Sequence, residues 1–415
     1  MLYSAYELQK SMLAGASIAA QAGMRWATSP LNPLAYTGAG PLVASALDVF
    51  AHAASPYGKP EFGLKETVVG GERVLVEEEV IVRRPFGNLL HFRRQGIAGG
   101  PRVLVVAPMS GHFATLLRGT VERLLPGHDV FITDWADAKM VPLAAGTFDL
   151  DDYIDHVIAF LETIGPGAHV IAVCQPAVPV FAALAIMGEA GHPATPVSAT
   201  LMGGPIDTRQ SPTAVNTLAT KRPFAWFERN AIATVPLTYP GAGRKVYPGF
   251  LQLAGFMSMN LGNHLISHWE MFKHLVEGDD ESAEATKKFY EEYRSVADID
   301  AAFYLQTVDV VFQRHALPKG EFIHRGKLVD PHAIRTPLLA IEGERDDISG
   351  VGQTKAALDL ATRLAEEDKR YFLAPGVGHY GIFNGRKWRE MIAPVVEEWI
   401  ARHEPAGAMN GAAAG

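Results

Sequence analysis

Three side chains in this sequence have types, spacing and settings that fit covalent acyl chemistry: a cysteine, an aspartate and a histidine, in that order. Cys174 closes the apolar run His169-Val170-Ile171-Ala172-Val173-Cys174, and the helix-like PAVPVFAALAIM follows. A strand that stops abruptly and gives way to a helix is the setting in which a nucleophile is held exposed on a sharp turn. The turn, Ala172-Val173-Cys174-Gln175-Pro176, departs from G-x-S-x-G. Alanine still permits a close approach, and proline is tolerated in a first helical turn, where its missing N–H is not needed. A lone cysteine is more often a small buried hydrophobe, so the assignment leans on its companions. The run TPLLAI leads into Glu342-Gly343-Glu344-Arg345-Asp346-Asp347-Ile348. An acid at the carboxyl end of a late strand can orient a catalytic imidazole, and both Asp346 and Asp347 fit. His379 follows the next strand in Gly376-Val377-Gly378-His379, where the glycines let the loop bend so that the ring reaches across. The oxyanion of an acyl intermediate needs two backbone donors. These are expected at Gln175, just after the cysteine, and in the loop Pro108-Met109-Ser110-Gly111-His112, at Met109 first and Ser110 second.

Such groups need a rigid frame. Arg102–Ala107, Asp129–Trp135, His169–Cys174, Val197–Met202, Thr336–Ile341 and Arg370–Ala374 read as strands. Most are continuous apolar runs bounded by turn signals, which suits strands covered on both faces. Helical patterns fall between them, near Phe113–Leu125, Leu150–Ile164, 175–189, Val351–Glu366 and Trp388–Arg402. That alternation predicts a mostly parallel sheet with helices on both faces. Two further strands, Glu78–Arg84 and Asn88–Arg94, precede it around Pro85-Phe86-Gly87. The alternation fails from about Ile206 to Asp330, a stretch rich in aromatics and Met, with helical patterns near Leu261–Val276 and Ser282–Tyr293. This predicts a helical insertion, and Phe250, Phe256, Met257 and Met259 within it are expected to contact an apolar substrate.

Composition narrows the function. With 37 Lys+Arg against 45 Asp+Glu the net charge is −8, and no long basic run offers a footprint for nucleic acid. One cysteine cannot form an internal disulfide or a cysteine-based zinc cluster. No apolar run in the sequence is long enough to span a bilayer. Lys10 before SMLAGASIAAQAGM, with Ala20-Gln21-Ala22, imitates a secretion signal, but Glu7, Gly15 and Ser17 break its pattern. An amphipathic helix that stays on the protein is expected instead. His264 and His268 share a helix face but lack further ligands, so neither a metal nor a cofactor is expected.

The segments VCQP, APMSGHFATLLRGTV, VFITDW, LMGGPIDTR, EGERDDISGVGQT and GVGHYGIFNGRKW resemble intracellular poly(3-hydroxybutyrate) depolymerases, over about residues 1–403. The resemblance implies an α/β-hydrolase fold with a helical cap insertion. Composition and the strand–helix alternation divide the chain into an N-terminal extension over 1–75, a first core part over 76–205, a cap over 206–330, a second core part over 331–405 and a disordered tail over 406–415. It implies Cys174 as nucleophile, His379 as base and, through the family's G-x-x-D pattern, Asp346 as the orienting acid. The implied activity is ester hydrolysis of amorphous polyhydroxyalkanoate granules in the cytoplasm, with the polymer surface as partner and a homo-oligomer left open. Two alternatives are a polyester synthase, whose elbow would read G-x-C-x-G, and an inert granule-coating protein.

Overall fold

The computed structural model describes residues 2–55, 58–97, 99–259 and 291–405. Its centre is a nine-stranded sheet: β1 (Glu66–Val69), β2 (Glu72–Val82), β3 (Gly87–Arg94), β4 (Arg102–Val106), β5 (Asp129–Trp135), β6 (Ala168–Val173), β7 (Ser198–Met202), β8 (Leu338–Gly343) and β9 (Lys369–Ala374). Their order is β1-β2-β3-β5-β4-β6-β7-β8-β9. Pairing is antiparallel up to β3–β5 and parallel from β5–β4 onward. Every residue of β6 and β7 is buried, as continuous apolar runs require.

Helix α3 (Arg118–Leu124) links β4 to β5, and α4 (Leu150–Ile164) links β5 to β6. Because β5 and β6 flank β4 on opposite sides, two right-handed crossovers must put α3 and α4 on opposite faces of the sheet. Helix α5 (Ala177–Glu189) follows β6. The expected α/β-hydrolase architecture is therefore the one the chain adopts. Helix α4 is held at its start by a reciprocal cap between Asp149 and Asp152.

Three local expectations change. The sheet begins within the segment read as an extension: β1 and β2 form a hairpin from Glu66. Its two-residue turn, Gly70-Gly71, has φ +59° and +90°, angles that favour glycine and match strand twist. The helix expected at Val351–Glu366 shrinks to Ala356–Leu360. Just ahead of it the fully buried Glu342, near the end of β8, accepts from the N–H groups of Gly352, Thr354 and Lys355 and from the Tyr371 hydroxyl. Those bonds tie the residues before Ala356 to the end of β8, and the start of a helix leaves such N–H groups open. The insertion holds helices α6 (Ala214–Lys221), α7 (Phe224–Asn230), α8 (Gly249–Met259) and α9 (Ala301–Thr307), but also a small antiparallel sheet of Ala233–Thr234, Lys245–Tyr247 and Ile299–Asp300. The helices expected near 261–276 and 282–293 fall outside the described residues, apart from the last three positions.

The N-terminal segment is a helical hairpin of α1 (Leu2–Ala27) and α2 (Ala39–Ala54). Ser17 ties the two together by donating to the Ala51 carbonyl at 2.8 Å. Tyr3 anchors the hairpin to the body through a 2.5 Å hydrogen bond to Asp298. Among the described residues no helix is long and apolar enough to cross a membrane.

Candidate active site

Strands β4, β6, β7, β8 and β9 are mutually parallel, so their carboxyl ends share one edge of the sheet, where ligands of such sheets bind. All three chemistry-bearing residues emerge there. Cys174 follows β6 with φ +68°, a left-handed conformation that costs a non-glycine residue on the order of 1–2 kcal/mol. Two bonds hold it: its N–H donates to Met202 O at 2.7 Å, and its carbonyl accepts from Ala177 N at 3.0 Å, where α5 begins. The glycines missing from the turn are supplied by a neighbouring strand. A Cβ on Gly204, just past β7, would lie 2.1 Å from Ala177 Cβ and 2.8 Å from Cys174 O. A side chain at that position would collide with the turn.

His379 is buried, and its Nδ1 lies 2.8 Å from Asp346 Oδ2. The other carboxylate oxygen of Asp346 accepts from the N–H groups of Ile348 at 2.9 Å and Ser349 at 2.8 Å. The acid is thereby fixed on both oxygens. Asp347, the other acid considered, is exposed. Burial alone would lower the His379 pKa, but the neighbouring Cys174 sulfur and the Asp346 carboxylate, both bonded to the ring, outweigh it and hold the imidazole well above its ordinary value. Gly203, with φ +57°, leaves room for the pair: a Cβ there would stand 3.3 Å from Asp346 Oδ2 and 3.4 Å from His379 Cε1.

The expected oxyanion donors sit beside the cysteine, with one feature the sequence does not reveal. Met109 N–H donates to the side-chain Oε1 of Gln175 at 3.3 Å, a long bond that leaves this donor only weakly engaged. Ser110 and Gln175 line the same cavity as Cys174 and His379. This cavity measures about 390 Å3 and extends under the insertion, between Phe227, Phe303 and Phe312. His112 also borders it. Burial lowers the His112 pKa to about 4 against the opposing effect of the Tyr293 carbonyl, which its Nε2 meets at 3.0 Å.

Phe250 lies elsewhere. It stacks on Tyr6, with ring centres 4.0 Å apart, and meets Tyr3 edge-on at 5.7 Å. Its ring partners belong to the N-terminal helix, it packs as well on the cluster of Ala138, Val235 and Val246, and it does not line the cavity at Cys174. The side chains of Phe256, Met257 and Met259 lie outside the described residues, as do His264 and His268. Among the described residues, no group of three or more His, Cys, Asp or Glu is arranged to hold a metal ion.

Sequence reasoning missed Glu342, the Gly203-Gly204 approach, and two residues of the cavity wall, Thr307 and Ser349. A signal existed for the glycines, since Gly-Gly directly after a buried strand marks a close approach. Thr307 and Ser349 carried none.

Comparison with known proteins gives a family match over part of the chain. Residues 203–404 match the family described as PHB de-polymerase C-terminus. No curated protein matches the sequence. Among solved structures, a thermophilic esterase from Thermogutta terrifontis is similar at 14% identity and a TM-score of 0.44, over 82% of this chain and 98% of that one. A monoacylglycerol lipase from Paleococcus ferrophilus is similar at 16% identity and a TM-score of 0.42, over 74% of this chain and 96% of its own.

Proposed function

We propose, from the match of residues 203–404 to the family described as PHB de-polymerase C-terminus, that the protein hydrolyses ester bonds of poly(3-hydroxybutyrate) through Cys174, His379 and Asp346. One observation carries the reading: a cysteine in a left-handed turn at the sheet edge, facing a buried imidazole whose far nitrogen is bonded to a fixed carboxylate.

His379 takes the thiol proton, and Asp346 steadies the resulting imidazolium and keeps the ring oriented. The thiolate attacks the ester carbonyl carbon. The oxyanion that forms is held by the N–H of Gln175 and by Met109 N–H. A negatively charged oxygen makes a hydrogen bond roughly twice as strong as a neutral one, so it displaces the Gln175 carboxamide from its long bond to Met109. The intermediate collapses as the C–O bond breaks and His379 passes its proton to the departing 3-hydroxy oxygen. That protonation matters because a thiolate leaves more readily than an alkoxide, so without it the intermediate returns to substrate. Water, deprotonated by His379, then attacks the thioester. The acid is released and the thiolate recovers the proton from the imidazolium.

The working location consistent with this chemistry is the surface of cytoplasmic polymer granules. The test supplies amorphous polymer and a small soluble ester and follows soluble 3-hydroxybutyrate and the released alcohol. Cys174→Ala is expected to lower both rates by more than about a thousandfold, on the scale of a lost nucleophile, while melting stays cooperative. Turnover close to wild type in that variant would reject the assignment. Appearance of new polymer from a hydroxyacyl thioester would favour a synthase instead.

A further inference from the structure

Helix α1 uses one side to hold its own chain: Tyr3, Ser17, Ala20 and Ala27 are buried, with Ser17 bonded to α2 and Tyr3 to the body. The opposite side stands open. There Leu8, Met12, Gly15, Ala19, Ala22 and Trp26 are all exposed, with Leu8, Met12 and Trp26 at 59%, 65% and 61%. A Cβ added at Gly15 would meet nothing within 4 Å. The six residues are spaced by four, three, four, three and four, which is the 3.5-residue repeat with which one helix seats along another. A repeat that served only to fasten α1 to its own chain would be buried. The three charged residues of the helix, Glu7, Lys10 and Arg25, all fall off this stripe.

The stripe reads alike from both ends: Leu8 and Trp26, Met12 and Ala22, and Gly15 and Ala19 lie symmetrically about the level of Ser17. We propose that a second copy of this chain docks here, α1 against α1, antiparallel about a two-fold axis at that level. A two-fold contact requires one surface to complement itself, and this one does. Leu8 meets the partner's Trp26, Met12 the partner's Ala22 and Gly15 the partner's Ala19. The small residues let the two axes approach where the helices cross, and the large ones fill the wider gap at either end. Charge fits the same arrangement. Arg25 is exposed, and the half-buried Glu7, whose Oε2 also accepts from Tyr239, lies on the same flank about five turns earlier. Antiparallel pairing brings each Arg25 within about one turn of the partner's Glu7. Parallel pairing would leave them about 27 Å apart along the axis and set Trp26 against Trp26. A narrow apolar seam with a waist of small residues suits a helix, whereas a flat apolar surface such as a polymer granule needs no register. The docking is independent of the ester chemistry.

Sedimentation of the full chain tests this. At about 10 µM, where a standard-sized specific interface is formed, the wild-type protein is expected to run as a dimer, twice the 44.9 kDa of one chain. Ala19→Glu places a charge near the centre of the seam, close to its own copy, and should raise the dissociation constant by about a hundredfold or more. Ala19 is exposed in the single chain, so melting of dilute protein and soluble-ester kcat/KM should not change. Arg25→Glu, at the rim, should weaken the dimer several-fold, and less at high salt. Direction is read by mixing Leu8→Cys and Trp26→Cys chains, both in a Cys174→Ala background, under mild oxidation. A disulfide should join unlike chains and not two Leu8→Cys chains. A wild-type monomer at that concentration, a dimer untouched by Ala19→Glu, or Leu8→Cys chains linked to each other would overturn the proposal. So would a monomer that binds apolar polymer particles and loses that binding in Ala19→Glu.

Discussion

Helix α8 separates two cavities of opposite character. Gln252 and Gly255 face the one at Cys174, of about 390 Å3, while Phe250, Leu253 and Ala254 face another of about 760 Å3 under the N-terminal helix. The larger holds most of the charge, and that charge is largely paired internally. Lys59 meets Asp134 at 2.5 Å, Lys139 meets Asp137 at 2.6 Å, and Tyr3 donates to Asp298; Asp134 Oδ1 has no hydrogen-bond partner among the described residues. Burial, with the nearby Asp137 charge second, raises the Asp298 pKa to about 6. At the smaller cavity His379 bonds to Asp346, while among the described residues the buried oxygens Thr307 Oγ1, Ser349 Oγ and Gln252 Oε1 have no hydrogen-bond partner. Size and charge therefore do not mark the site. Paired polar groups fasten the N-terminal helix to the body at the larger cavity, whereas the smaller one brings the sulfur of Cys174 to the imidazole of His379.

The comparison yields a rule that can be broken: changes in the smaller cavity should alter rates, and changes in the larger one should alter stability. The largest effect is expected from Asp346→Asn. Asn can still accept from the Ile348 and Ser349 N–H groups, but its amide would face His379 Nδ1 and favour the wrong tautomer. Ester turnover should fall by about a thousandfold or more, with melting little changed; a loss confined to stability would break the rule.

His112 sharpens it, because that ring borders the catalytic cavity yet is engaged by the Tyr293 carbonyl. Its folded pKa, about 4, lies below its ordinary value of 6.5. The unfolded chain therefore takes up a proton as pH falls through this window while the folded chain resists it, and stability is lost from about pH 6.5 down to pH 4. The loss should approach ~3 kcal/mol. Asp298 opposes it, since its raised pKa makes stability fall as pH rises from about 4 to 6. Denaturant unfolding at neutral and acid pH should show His112→Gln losing less stability on acidification than wild type. Equal losses would remove His112 from the account.

The smallest effect belongs to Tyr3→Phe, in the larger cavity. It removes one buried hydrogen bond to Asp298 and should lower stability by about 1–2 kcal/mol, read as a lower denaturant midpoint. Soluble-ester turnover should be unchanged. A drop in kcat/KM without loss of stability would show that the two cavities are coupled.

Most of the sheet was legible because its central strands are buried on both faces and so read as unbroken apolar runs, as in Val103-Leu104-Val105-Val106. The β1–β2 hairpin was also written, in Gly70-Gly71, but its strands have many exposed residues, so the apolar signal was weak. The shortened helix at Ala356–Leu360 was not legible. Residues 351–366 favour helix locally, and the contacts around them, such as the three N–H groups at Gly352, Thr354 and Lys355 bonded to the distant, fully buried Glu342, are tertiary. Phe250 was misplaced for a similar reason: an aromatic in an apolar run announces burial but not which surface buries it.

For the site, the sequence alone determined the order Cys174, Asp346, His379 and the strands that carry them, because strand ends are set by local hydrophobic pattern and turn chemistry. Tertiary structure alone decided that Asp346 and not Asp347 meets the imidazole, that Gln175 bonds to Met109, that Gly204 makes room for the turn at Cys174, and that Thr307 and Ser349 line one cavity. Each of these joins residues far apart in the chain, and such a contact depends on where the sheet brings its strand ends together rather than on any local preference.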